Sequence, residues 1–476
     1  MLTAEPRLPS LSLHGPWLAA LALGALASAI VFLPTTIALT SIGAALAIPL
    51  AWHAIAQRQW LPIFFATLLL LPPIAFPIGD SGAHPAILAA GLAILGAFTR
   101  LDQWRGRLDS TALAILGLLF AMTFSLVFAA IYSGLAIAAG SAVRLVLFAF
   151  APLVYFSVAF GPDRGLSLTR SLYWVAVAAA LFGCVDFLYQ LPAPAGYEPQ
   201  FLWLDSGVYR RAQGLFYESS TLGNFCSFFL VFIAVCFTQP KLRRPISMLG
   251  LILGAALLGT AMLLSFSRAS VLACLISLLV LAAVKSTRWR TWRSVAVMGV
   301  AAVVVMAIFI ATVPEVAEGY WGRVQLAFDT IQDSPDRALS GRLANWTTVA
   351  SFALDHPWET FFGIGYKTLP YTDYVGRPVI ADNMYLSLLV ETGVLGCAAL
   401  IALNVAILRR SWRALRQGSL HGTWIFCFWI GESLQMLSGD ILTYWRVLPV
   451  YFWVLAQATN DVREEAHANP RDGSVQ

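Results

Sequence analysis

Charge is what this sequence has least of. Asp, Glu, Lys and Arg make up 12% of its 476 residues, hydrophobic residues make up 59%, and the mean hydropathy is +0.75. A soluble domain carries roughly twice that share of charge, which excludes a water-soluble enzyme or a nucleic-acid binder. Cysteine is sparse and scattered. Cys184, Cys226, Cys236, Cys274, Cys397 and Cys427 fall in or beside apolar runs with no CxxC pair among them. They read as small buried hydrophobes, not as disulfides or metal ligands. Neither HExxH nor a compact His/Cys cluster occurs, so no metal is expected. No Walker A or GxGxxG precedes a helix and no Ser-His-Asp triad is visible, so a nucleotide-driven machine and a serine hydrolase are set aside, and no cofactor is expected. The charged head, short apolar stretch and small-residue cleavage site of a signal peptide are missing too, so the first apolar run, Pro16 to Leu33, reads as a retained helix.

Apolar runs of membrane-crossing length, about 20 residues, are present throughout. About fourteen spans fit, at roughly 17–34, 36–57, 60–77, 84–99, 111–133, 141–160, 169–190, 214–238, 246–264, 267–285, 293–313, 383–408, 421–438 and 441–458. The third and fourth are short and Pro-rich, which leaves a range of about 12–14. With the N-terminus cytoplasmic, the inside loops and both termini hold about 20 of the 30 Lys and Arg, leaving about 10 outside. Both ends are therefore expected on the cytoplasmic side.

The outside receives one long loop, 314–382, enough to form a small extramembrane subdomain. Within it Ser340 is a candidate helix cap, with Leu343, Trp346, Ala350 and Ala353 at helical spacing before a stop ahead of Pro357. This predicts a short amphipathic helix on the membrane face. The chain divides into N-terminal spans (1–200), core spans with arginines (201–313), the long loop (314–382), C-terminal spans (383–460) and a tail, 461–476, expected to be disordered.

Ten basic residues, Arg342 of the long loop among them, lie on the side that should lack them. Arg323, Arg337, Lys367 and Arg377 sit in the long loop, where a solvated surface position is expected. Arg144, Arg210, Arg211, Arg268 and Arg446 fall within or beside apolar runs, near their outer ends. A buried, unpartnered arginine in lipid costs from about 2.5 to above 10 kcal/mol. Each could snorkel or pair with a helix-end carboxylate such as Glu218 or Asp440. A shared anionic ligand accounts better for the whole set, because guanidinium forks bind phosphate oxygens bidentately. Glu218 and Asp382 open spans, where a carboxylate suits the helix terminus. Asp186, Glu391 and Glu432 lie deeper and read as buried hydrogen-bond anchors.

Four segments, in order, carry a resemblance: "RAQGLFYESSTLGNF", "SFSRASVLA", "GRLANWTTVASFALDHPWETFFGIGY" and "ADNMYLSLLVETGVLG". With many spans and one long external loop, the chain resembles the O-antigen ligase/polymerase family of bacterial surface-polysaccharide enzymes over about residues 205–450. The ligases that act on lipid A core typically carry His-Asn in the last motif, whereas Asp382-Asn383 stands here, which favours the polymerase branch, exopolysaccharide polymerases included. The resemblance implies an all-α integral membrane protein with one long periplasmic loop, similar to GT-C-type glycosyltransferases, in the bacterial inner membrane with a periplasmic active site. It implies metal-independent glycosyl transfer from an undecaprenyl-diphosphate-linked oligosaccharide to an acceptor sugar hydroxyl. Membrane lipids, and chain-length regulator or export proteins, are the implied partners. Arg211 and Arg268 are then expected on the diphosphate, with Arg342 and Arg446 as further candidates. Asp382 is expected as base or acceptor-positioning group, with Glu218 as the alternative, and Tyr217, Trp346, Tyr366 and Tyr385 are candidates for stacking on sugars. An O-antigen ligase or protein O-oligosaccharyl ligase using the same donor is the alternative within the family. Outside it, the alternative is a lipid-linked sugar flippase or other transporter, which would show broken helices at matching positions in two repeated halves.

Overall fold

In the computed structural model, the described residues are 60–98 (except 73–76, 79–80 and 83), 104, 108–161, 167–285 (except 194–196, 205–206, 241 and 243), 318, 321–322, 325, 336 and 341–468. The expected spans at 17–34, 36–57 and 293–313 lie outside them. Helices α1 (Trp60–Leu70) and α2 (Pro85–Phe98) flank a minimal hairpin, β1 (Pro77–Ile78) with β2 (Ser81–Gly82). There follow α3 (Ser110–Ser133), α4 (Leu135–Ala159) and α5 (Thr169–Tyr189), then a second antiparallel hairpin, β3 (Phe201–Leu204) with β4 (Gly207–Arg210). Helices α6 (Ser219–Thr238), α7 (Met248–Leu264) and α8 (Arg268–Lys285) complete the first half. The second half holds α9 (Arg342–Asp355), α10 (Pro357–Phe362), α11 (Met384–Arg416), α12 (Leu420–Gln435) and α13 (Leu448–Ala468). Among the described residues, six helices are long and apolar enough to cross a membrane by length and composition: α3, α4, α5, α6, α8 and α11. The protein is thus an all-α, multi-pass membrane protein, as its composition predicts.

Small polar residues start several of these helices. Asp109 accepts the Ala112 N–H at 2.9 Å ahead of α3, Ser247 accepts Gly250 ahead of α7, and Ser419 accepts Gly422 ahead of α12. Each satisfies a donor that a helix N-terminus leaves open. Helix α6 is central: 83% of its apolar window is buried, against 33% for α3. Its Phe228 stacks 4.3 Å from both Trp424 of α12 and Tyr451 of α13. One turn nearer its start, Asn224 donates to Glu432 (2.7 Å) and Gln435 (3.2 Å) and accepts from Tyr451 (2.5 Å). In lipid a polar side chain must find such partners, so this knot fixes the register of three helices. Glu432 is the buried anchor its position suggested.

Asp109 gathers Arg410 (3.2 Å) and Arg463 (3.4 Å), joining α3, α11 and α13. Arg410 lies 26 residues along α11 from Met384, roughly 40 Å of helix, so this cluster and the start of α11 occupy opposite ends of the bundle. The tail expected from residue 461 onward begins as helix, since α13 runs to Ala468. Asp461 accepts Ser419 Oγ at 2.5 Å, and Arg463 donates to the Ala159 carbonyl, so the segment is held rather than free.

The long loop, described continuously from residue 341, is seated on α11. Val349 and Phe352 of α9 pack with Ile364, Leu369, Val375, Val379, Ala381 and Val390 of α11. The N-cap of α9 is Gly341, with φ of 79°, and Ser340 lies outside the described residues. The helix ends at Asp355, ahead of Pro357, as predicted. Its buried stripe runs through Val349 and Phe352, while Trp346 points its indole N–H at the Ala381 carbonyl (2.6 Å).

A break in α11 receives the loop. Gly393 has φ of 74°, and a Cβ there would lie 2.3 Å from the Phe361 carbonyl oxygen, so only glycine fits. The unwinding frees the carbonyls of Val390 and Glu391 to accept Ile364 N (3.0 Å) and Gly365 N (2.8 Å). Gly365 passes against Ala129 of α3, where a Cβ would meet the alanine Cβ at 2.4 Å, and Tyr366 N donates to Ser125. The "GIGY" stretch is therefore wedged between α3 and α11, and it sets the position of the next residue, Lys367.

Candidate functional site

A cavity of about 480 Å³ lies where the starts of α8 and α11 meet the loop, with Arg144, Arg211, Arg268, Arg342 and Lys367 in its walls. The carboxylates in the same walls are Glu218, Asp382, Glu391 and Asp440. The sequence pattern explains how residues so far apart converge. Asp186 of α5 accepts the amides of Gln213 (3.2 Å) and Gly214 (3.0 Å) and pairs with Arg210 at 3.0 Å. That carboxylate shapes the "RRAQG" turn and is a buried anchor, as expected. The turn then docks on "LSFSR": Ala212 N donates to the Leu264 carbonyl and Arg211 Nε donates to the Ser265 carbonyl, both at 2.9 Å. Arg268 opens α8 three residues further on. One turn of chain therefore supports both arginines.

On the loop side, Arg342 pairs with Asp382 at 3.2 Å and lies close enough to Arg268 for the two guanidiniums to repel. An anion between them would relieve that repulsion. Asp382 does not cap α11; Asn383 does, accepting Leu386 N at 3.1 Å. Asp382 has φ of 46° instead, and Phe266 (51°) and Lys367 (57°) are also left-handed non-glycines in the cavity wall. Such conformations cost of order 1–3 kcal/mol each and cluster at sites that use them.

Lys367 corrects an expectation. Its side chain is not a solvated loop lysine but 6% exposed, in an ion pair with Asp440. Arg144 reaches the same corner from α4, donating toward the Lys367 carbonyl at 3.5 Å and lying 4.0 Å over the Tyr371 ring. A signal for Lys367 does exist: it is one of three lysines, the others being Lys241 and Lys285, and the only one in a loop predicted outside. Glu391 is the expected anchor, accepting Leu369 N at 3.2 Å, and its second oxygen lacks a hydrogen-bond partner although the residue lines the cavity.

Arg446 also departs from expectation. It precedes α13, is 4% exposed, and donates to the carbonyls of Leu68 (3.0 and 2.8 Å), Leu71 (3.0 Å) and Leu215. The open carbonyls at the C-terminus of α1 draw its fork inward, so its donors hold backbone and do not face the main cavity. The candidate aromatics scatter as well. Trp346 and Tyr385 line a separate apolar hollow, and Tyr217 packs on Tyr197 with centroids 5.1 Å apart, outside the walls. Tyr366, 1% exposed, lines a smaller neighbouring chamber. The aromatics in the main wall are Phe266, Tyr371 and Tyr444. Among the described residues, no group of three or more His, Cys, Asp or Glu is arranged to hold a metal ion.

Residues 253–401 match the family model for O-antigen ligase. The matched segment contains Arg268, Arg342, Lys367, Asp382 and Glu391 and supports three of the four motifs that carry the resemblance; the first, with Arg211 and Glu218, lies outside it. The match supports glycosyl transfer of the O-antigen ligase/polymerase type at the level of the family. A search of curated proteins finds no match to this chain.

Proposed function

We propose that this protein is a polysaccharide polymerase that moves a glycan from an undecaprenyl-diphosphate carrier to an acceptor sugar hydroxyl. The observation that carries the reading is Arg211, Arg268 and Arg342 in one cavity wall with Glu218 and Asp382 in the same chamber. The acceptor oxygen attacks the anomeric carbon, the carbon–oxygen bond to phosphate breaks, and its electron pair leaves on the diphosphate. The hydroxyl proton passes to a carboxylate. Arginines meet the charge that develops on the leaving group, and the base removes the proton that would otherwise stall the attack. Asp382 in place of the ligases' histidine supports the polymerase branch. The inside-positive loop pattern supports an inner-membrane protein whose cavity opens to the periplasm, with both termini cytoplasmic.

The test is direct. Donor lipid added to the purified protein in detergent should release undecaprenyl diphosphate and yield glycan longer than one repeat unit. A ligase would release the carrier only with its own acceptor present, and a transporter would release none.

The reaction should also carry an alkaline limb. Burial pulls the Lys367 ammonium down to about 8, against the opposing field of Glu391. The group is charged below that pH and neutral above it, so leaving-group stabilisation should weaken as pH rises through about 8. Lys367→Arg, charged throughout, should move the limb upward in a pH profile of kcat/KM. An unmoved limb would assign it to another group.

A further inference from the structure

Behind the main cavity lies a second chamber of about 200 Å³ that no assigned role explains. Tyr197, Phe216, Tyr366 and Trp445 stand in its walls. Arg144, Glu218, Lys367, Tyr371, Thr443 and Tyr444 line both chambers and form the threshold between them, whereas Arg211, Arg268 and Arg342 line the main cavity alone. We propose that this second chamber is the acceptor subsite, holding the one sugar ring whose hydroxyl attacks. The inference rests on the glycosyl-transfer reading above.

Three observations carry it. Displacement at an anomeric carbon brings the nucleophile and the leaving group to opposite sides of that carbon. With the diphosphate on the arginine wall and the carbon at the threshold, the nucleophile enters from the far side, which is the second chamber. Secondly, the walls mix ring faces with phenol, carboxylate, ammonium and guanidinium groups, the Arg446 fork among them being held by backbone carbonyls. That chemistry suits a pyranose, with its apolar C–H faces and polar rim, and does not suit a polyprenyl chain. Thirdly, Glu218 sits on the threshold with one oxygen held by Thr221 at 2.6 Å, and Thr221 belongs to the second chamber alone. The carboxylate can therefore take a proton from a hydroxyl on that side while the arginines act on the other.

The test separates the two substrates kinetically. The donor is the undecaprenyl-diphosphate-linked repeat unit, and the acceptor probe is oligosaccharide released from the host's polymer by mild acid. Leu147 and Leu442 line the second chamber and not the main one, so Leu147→Trp and Leu442→Phe fill it from different walls. Either variant that retains the wild-type melting temperature should raise the KM for the oligosaccharide at least tenfold more than the KM for donor. Equal changes in both, or no change in either, overturn the assignment. A wild-type protein that releases no undecaprenyl diphosphate removes the glycosyl-transfer reading itself, and the subsite falls with it, before any variant is made.

Discussion

Arg268→Ala and Arg211→Ala should each lower polymer formation by at least about 100-fold, the size of effect expected when a preorganised group facing transition-state charge is removed. Protein level and membrane insertion should be unchanged for Arg268→Ala, because that side chain opens α8 at the cavity and its loss leaves the Ser267–Ser270 contact (2.8 Å) intact. Arg211 also donates to the Ser265 carbonyl, so Arg211→Lys is the cleaner companion. It keeps the charge and loses the bidentate fork, and an intermediate loss is expected. Both positions hang on the 264–268 turn, and on the proposed reading they act as one clamp. The double alanine variant should therefore be little worse than the worse single, as groups acting as a unit are strongly non-additive. Wild-type chain length and yield in both single variants would sink the diphosphate assignment. Independent, multiplying losses would instead mean that the arginines hold different parts of the substrate. Arg210 is the contrast: its buried pair with Asp186 shapes the turn, so Arg210→Ala acts on folding, where breaking a buried pair costs about 3–5 kcal/mol.

What the sequence made legible follows from what lipid forbids. Long apolar runs have little choice but helix, and the spans at 111–133, 169–190 and 267–285 fall within a residue or two of α3, α5 and α8. Arg211 and Arg268 were conspicuous because arginine in hydrocarbon demands a reason. The two cations read the wrong way, Arg446 and Lys367, depended on information no local pattern holds. Arg446 is claimed by open carbonyls more than 370 residues earlier in the chain. Lys367 is buried because Gly365 and Gly393 allow backbone to meet backbone between α3 and α11. Glycine in "GIGY" announces a turn, but what the turn packs against is a tertiary fact. Three of the four candidate aromatics, Tyr217, Trp346 and Tyr385, line neither chamber, for a related reason. Tyr and Trp are common at any membrane interface, so their presence did not distinguish the threshold residues Tyr371 and Tyr444 from Trp346 or Tyr385.

The identity of the base is decided by comparing Glu218→Gln with Asp382→Asn. Both replacements keep shape and remove basicity, and the two carboxylates stand differently. Asp382 is bound to Arg342 at 3.2 Å and lines the main cavity only. Holding a guanidinium in place is work its charge can do without accepting a proton, and the pair is half-exposed, so its loss should be modest. Glu218 has no capping hydrogen bond at the start of α6 and instead lines both chambers, its Oε2 accepting the Thr221 hydroxyl. A glutamine there can still accept that hydroxyl through its amide oxygen. The expected result is a kcat about 100-fold lower or worse for Glu218→Gln, within the usual range for a general base, with the KM for donor within about twofold. Asp382→Asn should lose about tenfold and show it mainly as a higher KM for donor, because a loosened Arg342 binds diphosphate less well. If the order is reversed, with Asp382→Asn the larger kcat defect, Asp382 is the base and Glu218 only shapes the threshold. The chemistry would then sit on the loop side of the cavity, and the acceptor would have to enter past Arg342 instead of from behind Glu218.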